Sequence, residues 1–146
     1  MGLEVKRVAL TFAWPEGEIW PGYVNPFYAE CRKCQGECLA DCERCHGADV
    51  APDVQRLYDA WEAMDTEPPK GEGWQMWETV SEGSPVSPVC RTTEELARYM
   101  ELNPWSIQKA TYDQWLKMIT NGGYACSMVV VDGVCYPGVV AAAEGI

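Results

Sequence analysis

From Glu4 to Trp14 the chain alternates, with Val5, Arg7, Ala9 and Thr11 on one side and Lys6, Val8, Leu10 and Phe12 on the other. A period of two is strand geometry, and Pro15 with the Glu16–Gly17 turn ends it. Residues 15–30 then mix Pro15, Pro21 and Pro26 with Trp20, Tyr23, Phe27 and Tyr28, without a regular period. After Pro52, the residues Val54, Leu57, Tyr58, Trp61 and Met64 recur at three- and four-residue spacing. That is one face of an amphipathic helix, with Asp53 placed to act as its N-cap.

Glu67 to Gly73, with Pro68–Pro69 and two glycines, reads as a connection. Alternation resumes over Trp74–Val80, where Trp74, Met76, Glu78 and Val80 oppose Gln75, Trp77 and Thr79, and predicts a second strand. Val86–Cys90 is a short extended piece that Pro88 assigns to a sheet edge. Thr92 with Glu95 forms a capping-box signal ahead of Leu96, Tyr99 and Met100, and Asn103–Pro104 ends that helix. Thr111 opens a third helix with Tyr112, Trp115, Leu116 and Ile119 on one face, and Asn121–Gly122–Gly123 closes it. Ser127–Val131, Asp132–Gly133 and Val134–Val140 read as a hairpin with a two-residue turn. These elements predict a single α+β domain spanning residues 1–146, with a small, mostly antiparallel sheet, about three helices and an inserted cysteine module at 31–47.

Composition narrows the class. The chain has 146 residues, nearly half apolar, with seven Trp and seven Tyr, which is enough to build a packed core. No stretch approaches the roughly 18 apolar residues of a membrane span. Glu4, Lys6 and Arg7 interrupt the N-terminal alternation, unlike the apolar centre of a signal peptide, so a cytoplasmic protein is expected. The net charge of −11 works against binding a phosphate backbone. It favours solubility, or a surface that occupies a basic groove on another protein.

The cysteines carry the chemistry. Five of the eight fall between Cys31 and Cys45, and in a reducing compartment such clusters bind metal more often than they form disulfides. One pattern is written twice, as Cys31–Arg32–Lys33–Cys34–Gln35–Gly36 and Cys42–Glu43–Arg44–Cys45–His46–Gly47. Two cysteines three apart on a tight turn direct both sulfurs to one ion, and the glycine lets the chain reverse. Two such turns supply four thiolates in a tetrahedron at about 2.3 Å, which suits one structural zinc ion held by Cys31, Cys34, Cys42 and Cys45. A redox dithiol system and an iron–sulfur centre are the alternatives. Cys38, between the pairs, is either a spare thiol or a substitute ligand, and His46 is placed for a contact beside the ion rather than a bond to it. Cys90, Cys126 and Cys135 sit singly in strand-like segments and read as buried, inert thiols.

The doubled motif resembles the cysteine-rich zinc module of DnaJ-type chaperones, although Cys38 and Asp49 stand where that module has its second glycines. No His-Pro-Asp of a J-domain is present, so the resemblance implies a zinc module and no chaperone activity. Asn25–Pro26–Phe27–Tyr28 ahead of the cysteines is similar to a stretch of small uncharacterised bacteriophage and prophage proteins. So are Gly71 to Thr79, Ser84 to Val89 and the Thr-Glu-Glu-Leu-Ala helix start that follows. That likeness implies phage origin and a host-cell setting, and no activity.

A closed four-thiolate site has no open position, so zinc here is expected to hold structure rather than catalyse. Cys90 and Cys126 have no histidine to activate them other than His46 in the module, and a non-enzyme is expected. Arg32, Lys33 and Arg44 are outnumbered by Glu30, Glu37, Asp41 and Glu43, which makes nucleic acid the lesser candidate partner. The sequence therefore predicts a small zinc-stabilised acidic interaction protein whose partner is a host protein or complex, with inhibition of a nucleic-acid-handling or defence complex as its specific form. A nucleic-acid-binding accessory factor is the alternative. Trp61, Trp74, Trp77, Trp105 and Trp115 are expected in the core or half-core. Trp14, Trp20, Tyr23, Phe27 and Tyr28 either wrap the core or form a contact surface.

Overall fold

A computed structural model describes residues 2–27, 52–79, 83–103, 106 and 108–146. The fold is α+β, as the pattern predicts, and its contacts divide the chain into two compact units: Met1–Trp20 with Pro68–Ile146, and Pro21–Glu67.

In the first unit, β1 (Leu3–Val8) and β2 (Gly73–Glu78) form the centre of a four-stranded sheet, paired antiparallel from Leu3 opposite Glu78 to Val8 opposite Gly73. Two short strands flank them, β3 (Ser84–Pro85) beside β2 and β4 (Tyr124–Ala125) beside β1. Strand β1 stops well short of Trp14. Beyond Val8 strand β2 supplies no partner residue, and Ala9 N–H turns instead to Pro69 O at 2.8 Å.

Helices α2 (Thr93–Leu102) and α3 (Tyr112–Thr120) both start as the sequence indicates. Thr92 Oγ1 accepts from Glu95 N–H at 3.1 Å, while the Glu95 carboxylate reaches one residue further back, to Arg91 N–H. Thr111 and Gln114 complete a reciprocal capping box. Leu96, Ala97 and Met100 of α2 and Trp115, Met118 and Ile119 of α3 pack with Leu3 and Met76 of the sheet to make the core. Gly122 and Gly123 take positive φ and end α3, and Gly123 O then accepts from Val5 N–H, delivering the chain to β4.

The terminal segment departs from expectation. Strands β5 (Met128–Val131) and β6 (Val134–Pro137) form the hairpin across Asp132–Gly133, both at positive φ as a type I′ turn requires. They make a separate two-stranded sheet, and residues 138–144 are not strand but a fourth helix, α4 (Gly138–Glu144). The β-branched pair Val139–Val140 suggests a strand, but Ala141–Ala143 and the burial of Val139 and Ala141 against the core favour helix. Gln108 fixes its first turn, accepting from Val139 N–H at 2.7 Å and donating to Cys126 O at 3.0 Å. Cys126 O lies so close to Gly138 that any Cβ there would sit 1.6 Å from it.

The second unit contains a 3-10 turn at Pro21–Tyr23 and helix α1 (Pro52–Glu62). Pro52 opens the helix, and Asp53 is its second residue, an acidic group in the first turn rather than the N-cap that the sequence suggests. Asn25 Nδ2 donates to Tyr58 O and to the Glu62 carboxylate, at 3.3 and 2.9 Å, while Asn25 Oδ1 accepts from Phe27 N–H. The chain leading into the cysteine stretch is thus tied to the helix that follows it.

Candidate binding cleft

Strand β2 is buried on both faces, where antiparallel sheets commonly leave one face to solvent. Helices cover the face carrying Met76, and a strap formed by residues 9–20 covers the face carrying Gln75 and Trp77. Pro15–Glu18 is a turn with Gly17 at φ +79°, the type II arrangement that favours glycine at its third position. Gly17 N–H then donates to Pro85 O and Trp20 N–H to Gly83 O, so the strap extends the sheet edge beyond β3.

The strap aromatics form a connected set. Phe12 stacks at 24° on Trp77 with ring centres 6.5 Å apart and meets Trp20 edge-on at 5.5 Å, and Trp14 meets Trp20 edge-on at 5.2 Å. Trp14 Nε1–H donates to Glu18 O at 2.8 Å and clamps the turn. Of the two readings of Trp14 and Trp20, both apply in part: each is half-buried, packing inward while keeping surface exposed. Trp77 and Trp115 are fully buried and Trp61 and Trp74 half-buried, as expected, with the Arg7 guanidinium over Trp74 at 3.7 Å; Trp105 lies outside the described residues.

Along β2 and its edge neighbour runs a polar seam that sequence reasoning missed, with Gln75 on the strap face and Glu78, opposite Ser84, on the face of Met76. Gln75, Glu78, Ser84 and Ser87 are all buried, and buried polar residues are more informative than buried apolar ones. Trp77 pairs with Pro85 but Trp74 with Cys90, so three steps along β2 correspond to five along its neighbour. The two extra residues bulge at Ser87–Pro88, where Ser87 Oγ replaces a backbone acceptor for Met76 N–H at 2.9 Å. Gln75 Nε2 donates to Ser87 O, and Gln75 Oε1 accepts from Trp77 Nε1–H, both at 3.0 Å. Ser84 Oγ donates to Glu78 at 3.3 Å. The available signal was two serines flanking Pro85 and Pro88 opposite a strand containing Gln and Glu.

Between strap and bulge lies a cleft of about 390 Å³, lined by Phe12, Ala13, Trp14, Pro15, Glu16, Gln75, Pro88 and Val89. That falls in the size range of small-ligand sites. Its walls are largely aromatic and apolar, Gln75 is among its lining residues, and Glu16 supplies a carboxylate. Glu16 also accepts from the Tyr99 hydroxyl of α2 at 3.0 Å. Burial, that hydrogen bond and the neighbouring negative charge push the Tyr99 hydroxyl above its ordinary pKa. Cys90 is pushed up to about 11, first by burial and then by Glu95 and Glu16, so it is a neutral thiol at pH 7.

The remaining cysteines divide. Cys31, Cys34, Cys42 and Cys45, with Cys38 and His46, lie outside the described residues. Among the described residues no cluster of three or more His, Cys, Asp and Glu is placed to hold a metal. Cys90 is buried as expected, but Cys126 is half-buried and Cys135 exposed, correcting the reading of all three as buried. Cys135 lies on β6 of the hairpin, which stands apart from the main sheet. No helix among the described residues is long and apolar enough to cross a membrane. Comparison with protein-family models, curated proteins and solved structures finds no match to this chain.

Proposed function

We propose that this is a small acidic interaction protein that grips a partner at the strap cleft and holds one structural zinc ion through Cys31, Cys34, Cys42 and Cys45. The observation that carries the binding role is the cleft itself. Phe12 and Trp14 offer aromatic surface beside the Glu16 carboxylate, on a strap held to the sheet by backbone hydrogen bonds. Aromatic faces next to a carboxylate suit a segment with apolar side chains and a Lys or Arg, whose cation rests over a ring. The chain's charge of −11 draws such a basic partner from a distance. The resemblance to bacteriophage proteins favours a host complex that handles nucleic acid as that partner, with the protein as its inhibitor in the cytoplasm.

The zinc role rests on the doubled Cys-x-x-Cys-x-Gly spacing. It is supported by the anchoring of the flanking residues, since Asn25 ties the chain before the cysteines to the helix that begins at Pro52. An ion closing a loop whose ends are already held together meets a smaller entropy cost.

Selection from a displayed random-peptide library, followed by titration of the enriched peptides, tests the cleft. Wild type is expected to enrich peptides with apolar and basic residues, with affinity that falls as salt rises. Trp14→Ala is expected to weaken their binding by roughly 30-fold, the size of a buried aromatic anchor. Peptides that bind Trp14→Ala and wild type equally well sink the cleft as the contact site.

A further inference from the structure

The β5–β6 hairpin carries a surface that the strap cleft does not account for. Val129 and Tyr136, paired across the hairpin, are half-buried on the side where α4 packs. The opposite face presents Met128, Val130, Cys135 and Pro137, all exposed, with Met128 57% and Val130 58% accessible; Val131 and Val134 are exposed at the tip. Across residues 128–137 the only charge is Asp132, in the turn.

The hairpin also has open edges. A two-residue turn makes Val131–Val134 a hydrogen-bonded pair, so alternation turns the backbone groups of Val130 and Met128 outward along β5. On β6 the outward set is poorer, because Pro137 has no N–H. Among the described residues this sheet has two strands and no third. Natural edges are usually protected by a charge, a proline or a bulge, and β5, which reads Met-Val-Val-Val, has none of these.

We propose that β5 is the dimer interface of this protein, pairing antiparallel with β5 of a second copy across a two-fold axis. Charge selects the occupant. A basic partner is drawn to the carboxylates and gains nothing from an uncharged face. Two copies at −11 each repel wherever carboxylates meet, and residues 128–131 let them approach without any. Like strands related by a two-fold axis are self-complementary, and their union gives a four-stranded sheet, past the point where a hairpin is marginal alone. The exposed face amounts to a few hundred Å², below the roughly 800 Å² per partner of a standard interface. Backbone pairing along β5 therefore has to supply part of the affinity, and the dimer is expected to dissociate on dilution.

Sedimentation velocity on the full chain over a wide concentration range tests this. A monomer–dimer equilibrium is expected for wild type, its dissociation constant raised at least about tenfold by Val130→Glu. Met128→Glu, on the same face, should act alike, and unchanged circular dichroism of either variant establishes that the fold survives. A wild type that is monomeric at every concentration overturns the proposal and leaves the face to a different protein. A dimer that both folded variants preserve overturns it equally.

Discussion

The Trp77 indole N–H donates to the Gln75 side-chain oxygen at 3.0 Å, two residues back along the same strand. Both side chains are buried on the strap side of β2, and Gln75 passes the connection on to Ser87 O in the bulge. One hydrogen-bonded chain thus joins the aromatic set beneath the strap to the irregular edge that forms the other wall of the cleft. Trp77→Phe keeps most of the ring but leaves Gln75 Oε1 buried without this donor. The expected loss is about 1–3 kcal/mol in a denaturant titration.

Ser87 holds the bulge through a single oxygen, which accepts from Met76 N–H and donates to Pro88 O at 2.9 Å. Ser87→Ala strands a buried backbone donor and is expected to cost about 1–3 kcal/mol. Ser84→Ala, which removes only a 3.3 Å contact to Glu78, is expected to cost less. Comparing the two melting temperatures checks the order.

The third helix depends on its cap. Thr111→Ala removes the acceptor for Gln114 N–H and is expected to lower stability by about 0.5–2 kcal/mol. Gly138→Ala drives a Cβ onto Cys126 O and should unseat the start of α4, a larger loss than Thr111→Ala by the same measurement.

Alkaline pH should weaken the fold through Cys90. Its pKa is raised from 9.0 to about 11, so the folded state resists losing this proton. The associated stability is fully present below pH 9 and is lost as pH rises through 11. Cys90→Ala is expected to flatten the stability profile between these values relative to wild type. Identical slopes would show that the thiol is not responsible.

Thiol labelling at pH 8 should separate the single cysteines. Exposed Cys135 is expected to react quickly with a maleimide, and buried, proton-retaining Cys90 slowly. Mass mapping of the labelled peptides reads this directly.

Much of the fold was legible because local signals and tertiary packing agreed. Thr92 and Thr111, Asn121–Gly122–Gly123 and Asp132–Gly133 each specify a cap or turn by chemistry that needs no distant partner. The failures occur where distant residues decide. Val139–Val140 became helix because α4 packs on the core, and β1 ended at Val8 because β2 provides no partner beyond it. The polar seam was hidden for the same reason. Ser87 matters only because the edge slips by two residues beside β2, and no local pattern announces a slip.

The most direct test is the metal content of protein purified without added metal, measured by mass spectrometry for wild type and a Cys42→Ser, Cys45→Ser double variant. The expected result is about one zinc per chain in wild type, lost in the variant together with stability of the Pro21–Glu67 unit. Wild type without zinc, its Cys31–Cys34 and Cys42–Cys45 pairs oxidising readily to disulfides, would contradict the zinc module and point to redox chemistry.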